Sequence, residues 1–199
     1  MEYVQHLQKD KKLAAIIREP LPALQLRQNI PLRLMASIMS QQLSTKVAKI
    51  IFKRFLDLFE GEEPLPQQIL DVPFDTLRGI GLSNAKTQYV LNVAAFCIEQ
   101  DITDTKLLDL PNGEIIALLT KIKGVGKWTV EMLLMFSLGR EDVFAVDDLG
   151  IQQAMIEIYK IPVDDKKLVK EKMLKISQKW KPYRTYACMH LWRWKDNEV

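Results

Sequence analysis

The sequence has few of the residues and patterns that mark metal-bound, secreted or membrane proteins. Its 199 residues include two cysteines and two histidines without close spacing, so neither a zinc site nor an iron–sulfur cluster is predicted. Cys97 and Cys188 lie in apolar helical patterns and are interpreted as free thiols of the core. No apolar run approaches the roughly 20 residues of a membrane span. The opening MEYVQHLQKDKK has no apolar signal region, so we expect a cytoplasmic protein that binds no membrane.

Sustained alternation of polar and apolar residues is also missing, and the fold class is therefore predicted to be all-α. Apolar residues at helical spacing, between proline, glycine and capping residues, indicate some ten short helices. A regular middle segment is flanked by residues 1–30 and by basic C-terminal helices. We expect one domain, 1–199, with two interleaved lobes and a cleft, approximately 31–140 and 1–30 plus 141–199.

Individual helices are predicted from their start and stop signals. The expected helices are 4–18 before Pro20, 31–40 from Pro31, 45–59 after Ser44, short pieces at 67–71 and 74–78, 84–100 after Ser83, 112–122 after Pro111, 127–138 before Gly139, one from Asp147 or Asp148 to Tyr159, 164–180, and a last one from Pro182. The 31–40 helix is apolar nearly all round and is expected to be buried.

Charge is distributed unevenly along the chain. Residues 160–199 carry 11 Lys or Arg against five Asp or Glu, whereas residues 1–159 carry 17 against 20. A basic end on a near-neutral body suits a polyanion such as nucleic acid. A solvated lysine-rich helix face is an equally good interpretation of this feature alone.

Two turns of the pattern glycine–apolar–glycine precede helices. Gly124-Val125-Gly126 stands between two apolar-periodic segments, and Gly79-Ile80-Gly81 echoes it 45 residues earlier, which indicates a weak internal repeat. Such a turn lets the backbone approach a phosphate closely, and the N–H groups of Gly126, Lys127 and the residues after them would then bind the anion. The alternative is a plain turn with glycine caps.

Two further polar motifs have both a structural and a functional interpretation. Asp147 and Asp148 precede an apolar-periodic helix, where one aspartate can serve as the N-cap and the other is left to point elsewhere. Gln41 and Gln42 separate two apolar helices. They indicate either a simple helix junction or a tip that protrudes into a ligand.

Several motifs in the same order resemble one family. Over about residues 30–195 the chain is similar to the helix–hairpin–helix (HhH-GPD) DNA glycosylases, in the segments SQQLSTKVA, LRGIGLSNAKTQYV, IKGVGKWT, VFAVDDLGIQQ and WKPYRTYACMHLW. The similarity is greatest to the 3-methyladenine DNA glycosylase II branch, which acts on alkylated bases. The resemblance implies the all-α glycosylase fold, a monomer, and duplex DNA containing alkylated bases as the partner.

The resemblance assigns roles to individual residues. Asp148 falls on the catalytic aspartate, and Gln42, with Leu43 as the alternative, falls on the residue that fills the gap left by a flipped nucleotide. The DNA-binding hairpin of the family corresponds to Gly124, Val125, Gly126, Lys127 and Thr129. No cofactor is required, but a monovalent cation, Na⁺ or K⁺, would be held by the main-chain carbonyls of Thr120, Ile122 and Val125.

The same resemblance implies the reaction type and the base pocket. Trp128 stands where bifunctional members carry the Schiff-base lysine, and a tryptophan cannot form an imine, so no lyase activity is expected. The electron-rich rings of Trp128 and Trp192 would stack on a cationic methylated purine. The alternative interpretation places both rings in the core. Met132 and Leu149 stand where some relatives have tyrosines, so a less aromatic pocket is expected.

Together these assignments predict a monofunctional N-glycosylase of base excision repair. Its substrates would be alkylated purines in duplex DNA, chiefly 3-methyladenine, with 7-methylguanine as a second candidate. The larger bacterial members carry an additional N-terminal mixed domain, for which 199 residues leave no room. The alternatives are a helix–hairpin–helix module that only binds DNA and a glycosylase for mismatched or oxidised bases. Either way, a cytoplasmic, nucleoid-associated protein is expected.

Overall fold

The computed structural model describes residues 1–196, and within this range the chain forms helices and no strands. The all-α prediction is thus confirmed. A 3-10 helix spans Gln178–Trp180, and the α-helices are α1 (Glu2–Leu7), α2 (Lys11–Ala14), α3 (Ile30–Ser40), α4 (Thr45–Asp57), α5 (Pro66–Leu70), α6 (Phe74–Gly79), α7 (Asn84–Glu99), α8 (Asp104–Asp109), α9 (Asn112–Leu119), α10 (Lys127–Phe136), α11 (Leu149–Tyr159), α12 (Lys166–Ser177) and α13 (Arg184–Asp196). None of these helices is long and apolar enough to cross a membrane.

The chain forms two compact units. The first unit consists of residues 1–25 and 139–199 and contains α1, α2, α11, α12 and α13. The second unit, residues 26–138, contains α3 to α10. In the first unit α11 packs against α13, and in the second α7 packs against α3 and α5.

Helix α3 is the centre of the second unit. It contacts α4, α7 and α10, and the buried side chains along it are Ile30, Pro31, Leu32, Leu34, Met35, Ile38 and Met39. The predicted burial of this apolar segment is therefore confirmed. Asp104 of α8 fixes its start by accepting hydrogen bonds from the main-chain N–H groups of Asn29, at 2.7 Å, and Ile30, at 2.8 Å.

The predicted N-caps Ser44 and Ser83 are confirmed, since each accepts a hydrogen bond from a main-chain N–H three residues ahead, at 3.4 and 3.3 Å. The helix predicted from residue 164 begins after Asp165, which accepts the main-chain N–H of Lys167 at 2.7 Å. Each bond satisfies a donor that the first turn of a helix leaves without an intrahelical partner. The starts of α4, α7 and α12 thus follow from single polar residues in the sequence.

One predicted element is wrong, and one element was not predicted. The segment 4–18 forms two helices instead of one, because Asp10 Oδ1 accepts the main-chain N–H of Lys12 at 3.1 Å and caps a new helix, α2. Its other oxygen accepts from the Tyr159 hydroxyl at 2.9 Å and the Trp180 indole at 3.2 Å, so distant residues hold the break. Helix α8 was not predicted, although the Thr103 hydroxyl caps it by accepting the main-chain N–H of Lys106 at 3.2 Å.

The buried side chains of two cysteines and one histidine belong to the core. Neither Cys97 nor Cys188 forms a disulfide, and both are buried, as predicted. Burial raises the pKa of the Cys97 thiol to about 12, so this thiol stays protonated. Burial, followed by the nearby Arg193, lowers the pKa of His190 to about 4, so this imidazole is neutral at physiological pH.

Candidate functional site

The hairpin turn, residues 120–126, joins α9 to α10 in the second unit. Gly124 has a φ of 103°, a conformation that favours glycine. A Cβ at this position would lie 2.2 Å from Cγ of Tyr89, so only a glycine lets this ring pack against the turn. Asn92, also on α7, donates from Nδ2 to the carbonyl of Lys123 at 3.0 Å. Helix α7 therefore holds the hairpin turn by ring packing and by a hydrogen bond to its main chain.

The internal repeat is present, but the predicted register is wrong. The glycine patterns would align residues 79–81 with residues 124–126. In the structure the counterpart of Gly124 is instead Gly81, which has a φ of 112°. A buried apolar residue follows each of these glycines, and the N-cap of the next helix comes directly after it. The repeat is therefore glycine–apolar–cap, shifted by two residues from the pattern of paired glycines.

The two copies of the repeat differ at the N-cap. Ser83 caps α7 with its hydroxyl, which accepts the main-chain N–H of Lys86 at 3.3 Å. Gly126 is the N-cap of α10 and has no side chain that could do the same. Its φ of −91° is ordinary for any residue, and a Cβ there would meet nothing within 4 Å. The start of α10 can thus offer its main-chain N–H groups to a phosphate.

Lys127 and Thr129, both predicted to bind DNA, also make contacts within the second unit. The Lys127 ammonium lies 3.3 Å from Oε1 of the buried Glu131, although half of the lysine side chain stays exposed. Thr129 is buried, and its hydroxyl accepts a hydrogen bond from Nε2 of Gln41 at 3.2 Å. The group that Thr129 can offer to DNA is therefore its main chain. Sequence reasoning missed both contacts. The spacing of Lys127 and Glu131, four residues apart on one helix, could have indicated the first, whereas Gln41 and Thr129 lie 88 residues apart.

One face of α10 carries an apolar stripe that is not buried. Trp128, Met132 and Phe136 recur every four residues; Trp128 is 38% exposed and Phe136 44%. This exposure argues against a core role for Trp128. Met132 and Phe136 line a groove of about 370 Å³ whose other walls belong mainly to α3 and α4 and include Arg33 and Lys49. Sequence reasoning missed Phe136, although its spacing from Met132 could have indicated it.

The tip, residues 41–43, connects α3 to α4. Gln42 is exposed and has a φ of 59°, which is uncommon for a residue other than glycine. Leu43 is also exposed, and its N–H donates to the carbonyl of Ser40 at 3.1 Å. The structure thus presents both candidate gap-filling side chains at the surface, and the choice of Gln42 over Leu43 stays a prediction.

Asp148 is the N-cap of α11 in the first unit. Its Oδ1 accepts the main-chain N–H of Ile151 at 2.9 Å and the indole N–H of Trp192 at 2.8 Å. A Cβ on Gly150 would lie 3.2 Å from Oδ1 of Asp148 and 3.3 Å from Cδ1 of Trp192, so this glycine leaves room for the bond. The two donors set the direction of a partly exposed carboxylate, and capping is therefore compatible with a chemical role.

The two adjacent aspartates have different partners. Asp147 forms an ion pair with Lys170 of α12. One lysine of the basic C-terminal segment thus pairs with a carboxylate within the first unit. Leu149, the first residue of α11, is 67% exposed. Sequence reasoning did not find the indole partner of Asp148, because Trp192 lies 44 residues away in the chain.

The three carbonyls predicted to hold a cation belong to the hairpin turn. The Ile122 carbonyl accepts the N–H of Val125 at 3.0 Å and keeps a second lone pair. Thr120 is the C-cap of α9, where carbonyls lack helical partners. Within residues 1–196 no group of three or more His, Cys, Asp or Glu side chains could hold a metal. An ion at the turn would therefore be bound by main-chain oxygens, which suit a monovalent cation.

Residues 35–179 match the family described as "HhH-GPD superfamily base excision DNA repair protein". DNA-3-methyladenine glycosylase 1 of Schizosaccharomyces pombe is 39% identical over 162 residues, which cover 80% of this chain and 70% of the relative.

Two solved structures are also similar. The 3-methyladenine DNA glycosylase of S. pombe in complex with abasic DNA superposes with a TM-score of 0.83 at 33% identity, over 100% of this chain and 98% of that one. The DNA-3-methyladenine glycosidase of Bacillus halodurans gives a TM-score of 0.84 at 32% identity, over 98% and 89%.

Proposed function

Because the chain belongs to the HhH-GPD superfamily of base excision DNA repair proteins, we propose that it is a monofunctional DNA glycosylase. It hydrolyses the N-glycosidic bond of alkylated purines in duplex DNA, chiefly 3-methyladenine, with 7-methylguanine as a second substrate. The observation that carries this proposal is the Asp148 carboxylate, held at the start of α11 by the cap bond and the Trp192 indole.

The chemistry needs little beyond that carboxylate. The glycosidic bond cannot be reached within the base stack, so the damaged nucleotide is flipped out of the duplex. Methylation leaves the purine cationic, and the base departs without a general acid. Asp148 stabilises the positive charge that develops on the sugar and orients a water toward C1′. Asp147, paired with Lys170, has no part in this step.

The hairpin turn is the proposed DNA anchor. A phosphate binds the main-chain N–H groups after Gly126, and the half-exposed Lys127 adds positive charge. Phosphate contacts read no sequence, which suits a protein that searches along DNA. A Na⁺ or K⁺ ion bound by the carbonyls of Thr120, Ile122 and Val125 would add positive charge and stiffen the turn. The enzyme acts as a monomer in the cytoplasm, where it associates with the nucleoid.

Base selection is assigned to apolar side chains at the surface. The exposed ring of Trp128 and the half-buried ring of Trp192 suit a cationic purine by stacking and cation–π attraction. Met132 adds an aliphatic group on the same face of α10 as Trp128, and Leu149 adds one at the start of α11. Gln42 fills the gap in the duplex when the nucleotide is extrahelical.

The absence of an amine at position 128 predicts the form of the product. After base release, the DNA strand should remain intact until alkali is added, and borohydride should trap no covalent enzyme–DNA adduct. Gel electrophoresis of end-labelled duplex tests both outcomes. A trapped adduct, or nicking without alkali, would contradict the monofunctional proposal and point to Lys127 or another amine.

Trp192 is expected to serve both Asp148 and the base, and two substitutions separate these roles. Trp192→Phe keeps an aromatic ring but removes the N–H donor, and the loss of a hydrogen bond to a charged group, about 1.5–3 kcal/mol, should slow excision of every lesion by roughly tenfold or more. Trp192→Ala should add the loss of base stacking, about 1–3 kcal/mol, mainly for cationic purines.

Single-turnover excision and the affinity for undamaged duplex, measured on both variants, distinguish the two roles. Neither substitution should change the affinity for undamaged duplex. If Trp192→Phe excises bases at the wild-type rate, Trp192 does not position Asp148. If both variants unfold cooperatively at a Tm below that of the wild type, the Trp192 ring has a structural role in the core.

A further inference from the structure

Lys86 makes an unusual contact for a lysine near a helix start. It lies in the first turn of α7, and its side chain reaches the end of α3. There its ammonium donates to the carbonyl of Met39 at 3.0 Å and to the carbonyl of Gln41 at 2.6 Å. The side chain is half-buried, and burial lowers the pKa of the amine. None of the salt bridges among residues 1–196 involves Lys86.

These two bonds act on the end of α3 and on the first residue of the tip. The last carbonyls of a helix have no intrahelical partner, and a cation there also interacts favourably with the helix dipole. Directly beyond the bonded carbonyls, Gln42 adopts its left-handed φ of 59°. This conformation is unfavourable for a residue with a Cβ and persists only where surrounding contacts impose it. Lys86 supplies such contacts.

The same part of the structure links the tip to the hairpin turn. The side chain of Gln41 is bound to Thr129 in the first turn of α10. Tyr89 and Asn92, which follow Lys86 along α7, hold the hairpin turn itself. One helix thus fixes both the DNA anchor and the main chain of the tip, all within the second unit.

We propose that Lys86 is a positioning residue for nucleotide flipping: its ammonium holds the tip so that Gln42 can occupy the gap in the duplex. This inference rests on the proposed function. Lys86 itself touches neither the base nor the sugar. When the tip is not held, the gap is filled less often and the extrahelical nucleotide returns to the stack.

The experiment compares Lys86→Met, which keeps the length of the side chain but removes the amine, with a matched control. Lys106 makes the same kind of contact at the other end of α7, where its ammonium binds the carbonyls of Gln100 at 2.6 Å and Asp101 at 3.4 Å. Lys106→Met therefore removes an equivalent lysine–carbonyl cap that is not part of the tip. The readouts are the fluorescence of 2-aminopurine opposite an abasic analogue or beside a lesion, single-turnover excision, affinity for undamaged duplex, and Tm.

Lys86→Met is expected to lower both the flipping signal and the excision rate about tenfold, with undamaged-duplex affinity within about twofold of wild type. Lys106→Met should flip and excise as the wild type does. Lys86→Arg should restore most of the flipping signal, since it keeps the charge and the donors. Combining Lys86→Met with Gln42→Ala should add little to the defect of Gln42→Ala alone, because both act on one step.

Normal flipping by folded Lys86→Met, or fully additive losses in the double variant, would overturn the proposal. If Lys86→Met does not fold, Lys86→Gln, which keeps a single N–H donor, is judged by the same criteria. A wild-type protein that gives no flipping signal would instead refute the proposed function, and the role of Lys86 would fall with it. The two failures are therefore distinguishable.

Discussion

Replacing Asp148 by asparagine is expected to lower single-turnover base excision by at least about 100-fold, equivalent to about 2.7 kcal/mol of transition-state stabilisation. Asparagine has nearly the same size and keeps an oxygen that can accept from the main chain of Ile151 and from Trp192. The cap of α11 should therefore survive, and both Tm and DNA affinity should change little. Only the negative charge that faces the developing cation is lost.

Asp147→Asn is the matched control for this substitution. It removes a carboxylate one residue away and breaks only an ion pair with Lys170 that is partly exposed, which is worth at most about 1 kcal/mol. Near wild-type excision is expected. If Asp147→Asn abolishes excision while Asp148→Asn leaves it intact, the catalytic role belongs to the other aspartate.

Gly124→Ala is expected to have the second largest effect, a loss of DNA binding for every sequence and lesion alike. An alanine here would have to keep the φ of 103°, and its Cβ would lie 2.2 Å from the Tyr89 ring. Such overpacking costs about 1–3 kcal/mol, and the hairpin turn should rearrange to relieve it. Both a lower Tm and a reduced affinity for undamaged duplex are therefore predicted.

Gly126→Ser separates the anchor from the fold. Gly126 has an ordinary φ and open space around its Cα, and serine would reproduce the Ser83 cap of the other repeat copy. The variant should be as stable as the wild type, or more so by a few tenths of a kcal/mol. Its hydroxyl would compete with the phosphate, so undamaged-duplex affinity should still fall. If the folded Gly126→Ser protein binds undamaged duplex as tightly as the wild type does, the N-terminus of α10 is not part of the DNA interface.

Much of the fold follows from local signals in the sequence. Ser44 and Ser83 cap the helices that they were expected to cap, and of the two adjacent aspartates Asp148 caps α11, because an N-cap bond spans only two or three residues. The break at Asp10 was missed although its cap bond to Lys12 is local, and the contacts of its other oxygen, with Tyr159 and Trp180, are distant in the chain. Element type is thus local, whereas the contacts that hold an interruption in place are not.

The candidate site likewise combines features that have a local signal in the sequence with contacts that do not. Position in a motif suffices to nominate Asp148 and Trp128, and the surface exposure of Trp128 agrees with a role outside the core. The indole bond to Asp148 and the ammonium of Lys86 on the end of α3 join residues 44 and 45 or more positions apart. Spacing along one chain carries no signal for such pairs. The register of the repeat needed the φ values of Gly81 and Gly124.

Release of free bases from methylated duplex DNA, resolved by chromatography, tests the central claim most directly. The wild-type protein is expected to release 3-methyladenine, and more slowly 7-methylguanine, and to leave abasic strands that break only in alkali. The Asp148→Asn variant should bind the same DNA and release at least about 100-fold less base per unit time. Tight binding by the wild type without any base release would contradict the account and leave a non-catalytic DNA-binding module. Release only from mismatched or oxidised duplex would contradict the proposed substrate.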